Sequence, residues 1–357
     1  MASQQPGHTL TPEEIVNLLT LIRFRILGIF GAKGGIGKSL ISLASALMLA
    51  LQGHIVVLVD LDGNPGLTEL YLMMDGDESH REILAESLRS QKSHTTVSRF
   101  LLQPELGMVD LLLDIDIMTL INGLPTTVAA AKCYAAEEYN VHWSVNPATI
   151  IADTLAFYGS NPDKAKQGKI YLMPNGGSFD DVIAEVAQRK AKHTSYNPLT
   201  ILLEGFVGTA QEFERRGLAP PTHIIIDTAG ELGLIPDIAA FTCHDVILPY
   251  KKSAPSVAGV CNTVTNIQSV NRARPNGHRA TIHKPIGNFW HGTRGYGNAR
   301  MADVGLTPSN IRIPEDLATG QVPDEIGMVP FSCQPLSSGL KSIWDYLHTE
   351  GIITERM

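Results

Sequence analysis

The segment that most constrains the fold lies near the start of the chain. Ile26 to Phe30 is a short apolar run, Gly31-Ala32-Lys33-Gly34-Gly35-Ile36-Gly37 is a glycine-rich turn, and a helix is predicted from about Lys38 to Leu51. Ile55 to Val59 is a second buried strand that ends in acids. Strand, loop, helix and strand in this order give parallel strands joined by a right-handed crossover. The expected fold class is therefore α/β, a doubly wound, mostly parallel sheet flanked by helices. With 357 residues, one large domain of this kind has room for an insertion.

The rest of the chain is read around that unit. Thr11-Pro12-Glu13-Glu14 is a helix start, with a capping box between Thr11 and Glu14 and an apolar face of Ile15, Leu18, Leu19 and Ile22. Residues 1–25 are too short for a separate helix-turn-helix domain, so they form an N-terminal helix before a main domain at 26–348 and a tail at 349–357. Residues 76–145 are helical and irregular and are expected to be an insertion, with helices near 79–90 and 97–102 and an apolar run around 108–120. Further strands are predicted at Lys169–Met173, His223–Ile226 and Asp245–Leu248, helices at Leu199–Arg216 and Ser337–His348. The last helix sets Leu340, Ile343, Trp344 and Leu347 on one side.

Composition removes several classes. Hydrophobic residues are 44% and charged residues 18%, which excludes a disordered chain. Cys133, Cys243, Cys261 and Cys333 form no CxxC pair, which disfavours a disulfide framework, a zinc ribbon or a cysteine-bridged iron–sulfur site. The opening MASQQPGHTL has neither a basic region nor an apolar core, and the longest apolar run, Leu40 to Leu51, is too short to span a bilayer. The expectation is a cytoplasmic protein with no stable membrane insertion.

Gly31 to Ser39 fits GxxxxGK[ST] with a strand before it and a helix after it. Glycines let successive backbone N–H groups, from Gly34, Gly35, Ile36 and Gly37 through Lys38, Ser39 and Leu40, curl around phosphate oxygens, and the helix N-terminus adds its positive end. Lys38 reaches the β and γ phosphates, and the Ser39 hydroxyl can ligate Mg²⁺.

The early lysine in Lys33-Gly34-Gly35-Ile36-Gly37-Lys38-Ser39 resembles the deviant Walker A motif of the ParA/MinD group, in the SIMIBI class of P-loop NTPases. The resemblance implies an ATPase using ATP and Mg²⁺, working as a homodimer with ATP sandwiched at the interface. In that arrangement Lys33 crosses to the partner's nucleotide and places a cation on the developing phosphoryl charge. Val57-Leu58-Val59-Asp60-Leu61-Asp62 resembles the first switch, which gives Asp62 the attacking water and places Asp60 near the metal shell. The family continues with Pro-Gln-Gly-Asn, where this chain has Gly63-Asn64-Pro65-Gly66-Leu67-Thr68. His223 to Gly230 resembles Walker B and the second switch: Asp227 would hold a metal-bound water, and the Gly230 amide would approach the γ-phosphate. Family members often carry prolines where Ala229 and Gly230 stand. Asn288 and the strand ending at Pro314 are the candidate base contacts. The resemblance is good over 26–75, partial over 146–260 and weak over 305–348.

Charge bears on what such a switch would serve. The chain carries a net charge of -8, yet the 57 residues between Asp245 and Asp303 contain no acid. They hold Lys251, Lys252, Arg272, Arg274, Arg279, Lys284, Arg294 and Arg300, so the rest sums to -16. On one surface these side chains would neutralise phosphates of non-specific DNA, with Phe289, Trp290 and Tyr296 adding stacking. The protein would then associate with the nucleoid, and an adaptor protein would stimulate hydrolysis. The same stretch also suits an acidic protein partner, or residues that face different ways and pair with acids elsewhere. Two other readings stand beside this one: a MinD-like membrane- or protein-positioning ATPase, and a biosynthetic or metallochaperone P-loop enzyme using the insertion. A scaffold that does not hydrolyse is opposed by Lys33, Lys38, Ser39, Asp62 and Asp227 occurring together.

Overall fold

The structure, a computed structural model, describes residues 11–64, 66–71, 97–102, 113–115, 168–175, 179–193, 196–290, 296–314 and 334–353. The expected helix at 79–90, most of the 76–145 insertion, Arg294 and Cys133 lie outside them.

Helix α1 (Pro12–Leu21) starts at the predicted capping box, in which the Thr11 hydroxyl accepts the Glu14 N–H and Glu14 accepts the Thr11 N–H. Strand β1 (Arg25–Ile29) leads through the glycine loop into α2 (Lys38–Leu51), and β2 (Ile55–Leu61) returns. Short helices α3 (Gly66–Tyr71) and α4 (Val97–Leu102) and strand β3 (Leu113–Ile115) precede β4 (Lys169–Met173). Next come α5 (Asp180–Lys192), α6 (Ile201–Arg215), β5 (His223–Thr228) and α7 (Leu234–Thr242). Strands β6 (Asp245–Ile247) and β7 (Pro249–Tyr250) lead into α8 (Ala254–Arg272). The chain closes with β8 (Thr281–Ile282), β9 (Ile286–Trp290), α9 (Asn298–Ala302), β10 (Arg312–Pro314) and α10 (Gln334–Thr349).

The main sheet runs β3-β4-β2-β5-β1-β6-β8, and all its pairings are parallel except β3 with β4. A parallel extension, β10-β9-β7, continues past one edge. Alternation along each strand divides the core in two. Ile26, Val57, Val59, Ile224 and Ile226 face the side covered by α1 and α4 to α9. Leu27, Ile29, Val56, Leu58 and Ile225 face α2 and α10. In α10, Ile343 and Leu347 are buried in that second core, so the helix packs on the sheet as its apolar side predicts. Among the described residues no helix is long and apolar enough to cross a membrane.

Candidate functional site

Three loops meet at the carboxyl edge of the sheet, after β1, β2 and β5. Strand parity explains which side chains converge. Asp60 and Asp227 are register partners on adjacent strands, and both lie an even number of residues from positions that face α2. Both are fully buried, beneath the N-terminus of that helix.

The glycine loop has the shape its composition implies. Gly35 and Gly37 sit at φ 68° and 83°, in the left-handed region that penalises a Cβ. Lys38 turns inward, is 6% exposed, and brings its Nζ to 4.0 Å from Asp62 Oδ2. Lys33, five residues earlier in the same loop, is exposed. Gly230 crosses closely above, since a Cβ there would lie 3.1 Å from the Gly34 nitrogen. The Thr228 hydroxyl donates to the Ile29 carbonyl at 2.8 Å and ties the end of β5 to β1.

The two buried carboxylates differ in what they have left to offer. Asp60 Oδ2 accepts the amide and hydroxyl of Thr68 at 2.8 and 2.6 Å, and Oδ1 accepts the Asp62 amide at 3.2 Å. Burial and the charge of Asp227 push its pKa up to about 8. Asp60, expected at the metal shell, is thus engaged in bracing the loop that follows β2. Asp227 Oδ1 accepts the Ser42 hydroxyl at 3.3 Å, while Oδ2 is buried without a hydrogen-bond partner. Burial pushes this pKa up to about 6, opposed by the Ser39 hydroxyl and by Lys38. A buried carboxylate oxygen without a donor, beside a serine hydroxyl and a lysine, fits a hard divalent cation such as Mg²⁺. Ser39 and Asp227 are the residues that would hold it.

Three contributors are absent from the sequence-level site. Thr68 caps Asp60, Ser42 caps Asp227, and Asn175 donates its amide N–H to Thr68 Oγ1 at 2.9 Å and its side-chain N–H to the Asp62 carbonyl. Each lies on an element that follows or covers the strand ends, and that position is the available signal.

Other expectations separate. Asn288, read as a base contact, is 1% exposed and donates to the Ile36 carbonyl at 2.7 Å; it supports the glycine loop from behind. Pro314 closes β10 opposite Trp290. The described basic residues are spread along the fold. Lys251 and Lys252 precede α8 and Arg272 ends it, 19 residues or about 28 Å away. Lys252, Arg272, Arg279 and Arg300 are exposed, and Lys284 Nζ lies 3.5 Å from Glu350. Arg274 is a correction: it is 4% exposed and donates to the Cys243 and Ala240 carbonyls, so a duplex backbone has no access to it.

A glycine loop between a central parallel strand and a helix, with carboxylates from the ends of the next two strands on one side, β5 and β2, defines a P-loop nucleotide-binding protein. The family described as the CobQ/CobB/MinD/ParA nucleotide binding domain matches residues 27–297, and the chain belongs to it. Comparison with curated proteins finds no match. Among solved structures, the chain is similar to cobyrinic acid a,c-diamide synthase from Mycobacterium smegmatis with bound ATP analog and magnesium, at 16% identity. That match covers 94% of this chain and 98% of that one, with a TM-score of 0.52. It is similar to apo McdA from Cyanothece at 15% identity, covering 91% and 99%, TM-score 0.52. A Cyanothece McdA variant in complex with ATP gives 14% identity, 94% and 99% coverage, and a TM-score of 0.51. At these identities the likeness concerns the fold.

Proposed function

We propose that the chain is a Mg²⁺-dependent ATPase of ParA type that dimerises across bound ATP. In that state it binds DNA without sequence preference, and it positions DNA or another large cargo. The observation that carries this reading is the division of labour between two lysines of one loop. Lys38 is buried against the chain's own carboxylates, whereas Lys33 stands on the exposed rim. An exposed cation beside a phosphate loop is placed to serve a nucleotide held by a second copy.

Within one chain, the loop amides from Gly34 to Leu40 would hold the phosphates and Lys38 their β and γ oxygens. Asp62 would orient the attacking water, and the Gly230 amide would report the γ-phosphate to the second switch. Mg²⁺, when bound, neutralises charge on the phosphate oxygens. Lys251 and Lys252 follow β7 directly and offer cations to a DNA backbone, with Arg300 on α9. Loss of the γ-phosphate would separate the dimer and release DNA, and an adaptor protein would set the rate.

The test is fluorescence anisotropy of duplex DNA with the Asp62→Ala protein, in ATP-Mg²⁺, ADP-Mg²⁺ or no nucleotide, across a salt series. Binding only with ATP, independent of sequence and weakening steeply with salt, is the expected result. An ATP dimer that binds no DNA in any state would overturn the DNA assignment. A monomer in excess ATP would overturn the switch itself.

A further inference from the structure

The opposite edge of the sheet carries a second concave site. A cavity of about 420 Å³ opens between the end of α1, the start of β1 and the turn before β8. Arg23, Arg25, Arg274, His278 and Arg279 line it, and Leu19, Ile22 and Phe24 form an apolar wall. The one carboxylate among the described lining residues, Asp245, is already engaged. Arg25 donates to it at 2.6 and 2.9 Å, and His283 Nε2 lies 2.7 Å away.

Arg274 makes the site unusual. The residue is 4% exposed, yet among the described residues no carboxylate pairs with it and its buried Nε has no hydrogen-bond partner. Its Nη1 donates to main-chain carbonyls, and its Cζ lies 6.0 Å from the Phe241 ring centroid. Burial pushes its pKa down to about 10, as expected for a charge taken from water without a counter-ion. A buried cation left in this state costs stability unless something completes it. Along β1, Arg25 is six residues from Gly31, about 20 Å, so one nucleotide cannot occupy both this cavity and the phosphate loop.

We infer that this cavity binds a small phosphate-bearing anion of diphosphate size, with the exposed Arg23 and Arg279 taking the phosphate oxygens beside the buried charge of Arg274, and the Leu19–Phe24 wall its organic part. Planar guanidinium forks suit phosphate, and an open concavity of about 420 Å³ has room for a small ligand. The site is independent of the ATP-dependent reading above.

The test uses the full chain carrying Lys38→Ala, which silences the phosphate loop, titrated with pyrophosphate by calorimetry at fixed ionic strength. One site per chain is expected. Arg23→Gln with Arg279→Gln should weaken it at least about tenfold, since both residues are exposed and their loss spares the fold. Arg274→Gln should abolish binding where circular dichroism shows the fold retained. Absence of binding, or binding unchanged in the Arg23→Gln/Arg279→Gln protein, overturns the inference. So does a result in which pyrophosphate fails while duplex DNA binds and the same two substitutions weaken it.

Discussion

The two edges of the sheet carry opposite chemistry. At the carboxyl edge, carboxylates are buried and cations come from one contiguous loop. At the amino edge, cations gather from 23–25 and 274–279 around one carboxylate. Both edges hold an incompletely satisfied charged group, Asp227 Oδ2 at one and Arg274 Nε at the other. An unsatisfied anion beside a serine asks for a cation, and an unsatisfied cation in a cavity asks for an anion. The difference teaches that a parallel sheet offers two kinds of site. Strand-to-helix loops build one from short motifs, and strand starts build the other from residues far apart in the chain.

The comparison breaks most completely at Lys38. Replacing it with alanine removes the buried cation that faces Asp62 and, in the proposed function, would meet the phosphates, so nucleotide binding and turnover are both expected to be lost. Equilibrium dialysis with labelled ATP checks this, and retained binding would reject the site. Lys33→Ala should behave differently under the proposed function: ATP affinity within about twofold of wild type, but turnover down at least about 100-fold, because a cation acting in trans would serve the transition state. Turnover that stays linear in protein concentration, without the dimer's steeper dependence, is the accompanying kinetic sign.

The carboxyl edge was largely legible because its parts are contiguous. Gly31 to Ser39 states the loop, and the acids after two apolar strands state which strand ends border it. What could not be read was which acid is already satisfied. Asp60 looks equivalent to Asp227 in the sequence, and only the fold shows Thr68 capping the first and leaving the second open. Helix α8 also escaped, although Ser253 caps it, Pro255 stands in its first turn and Val257, Val260, Val264 and Ile267 carry its apolar spacing. Its Thr, Asn and Ser residues have weak helix propensity, and the basic stretch drew the reading to charge. The amino edge was illegible for a different reason. Arg274 counts as one more surface cation until residues 240–243 fold around it.

The next largest effect concerns the amino edge. Asp245 bonds both Arg25 and His283, which hold its carboxyl below the usual range. Asp245→Asn leaves those two donors with a neutral partner. A loss of about 3 kcal/mol is expected, the low end for a buried ion pair because Arg25 is a third exposed. A urea midpoint that falls at unchanged m-value would confirm a stability effect. Nucleotide affinity should be nearly unchanged, since β1 separates this network from the loop.

The smallest effect separates the two edges by sign. His244 Nδ1 accepts the Ile26 N–H at 3.0 Å, and burial, with Arg274 nearby, pushes its pKa from the ordinary 6.5 down to about 4. Protonation is harder in the folded state, so the unfolded chain binds more protons between these values. The stability His244 contributes is complete above pH 6.5 and is lost as pH falls toward 4, on the order of 2 kcal/mol by pH 5. Asp60 and Asp227, raised to about 8 and about 6, act the other way in the nucleotide-free protein. Their folded forms hold the proton more tightly, so acidification through those values adds stability, and a single wild-type curve mixes the two edges. The difference between wild type and His244→Gln isolates one of them. Urea midpoints measured from pH 7.5 to 5 should converge as pH falls, because only the wild type loses the histidine contribution. Parallel curves would show that His244 titrates alike in both states, and that the cations around it do not act as one field.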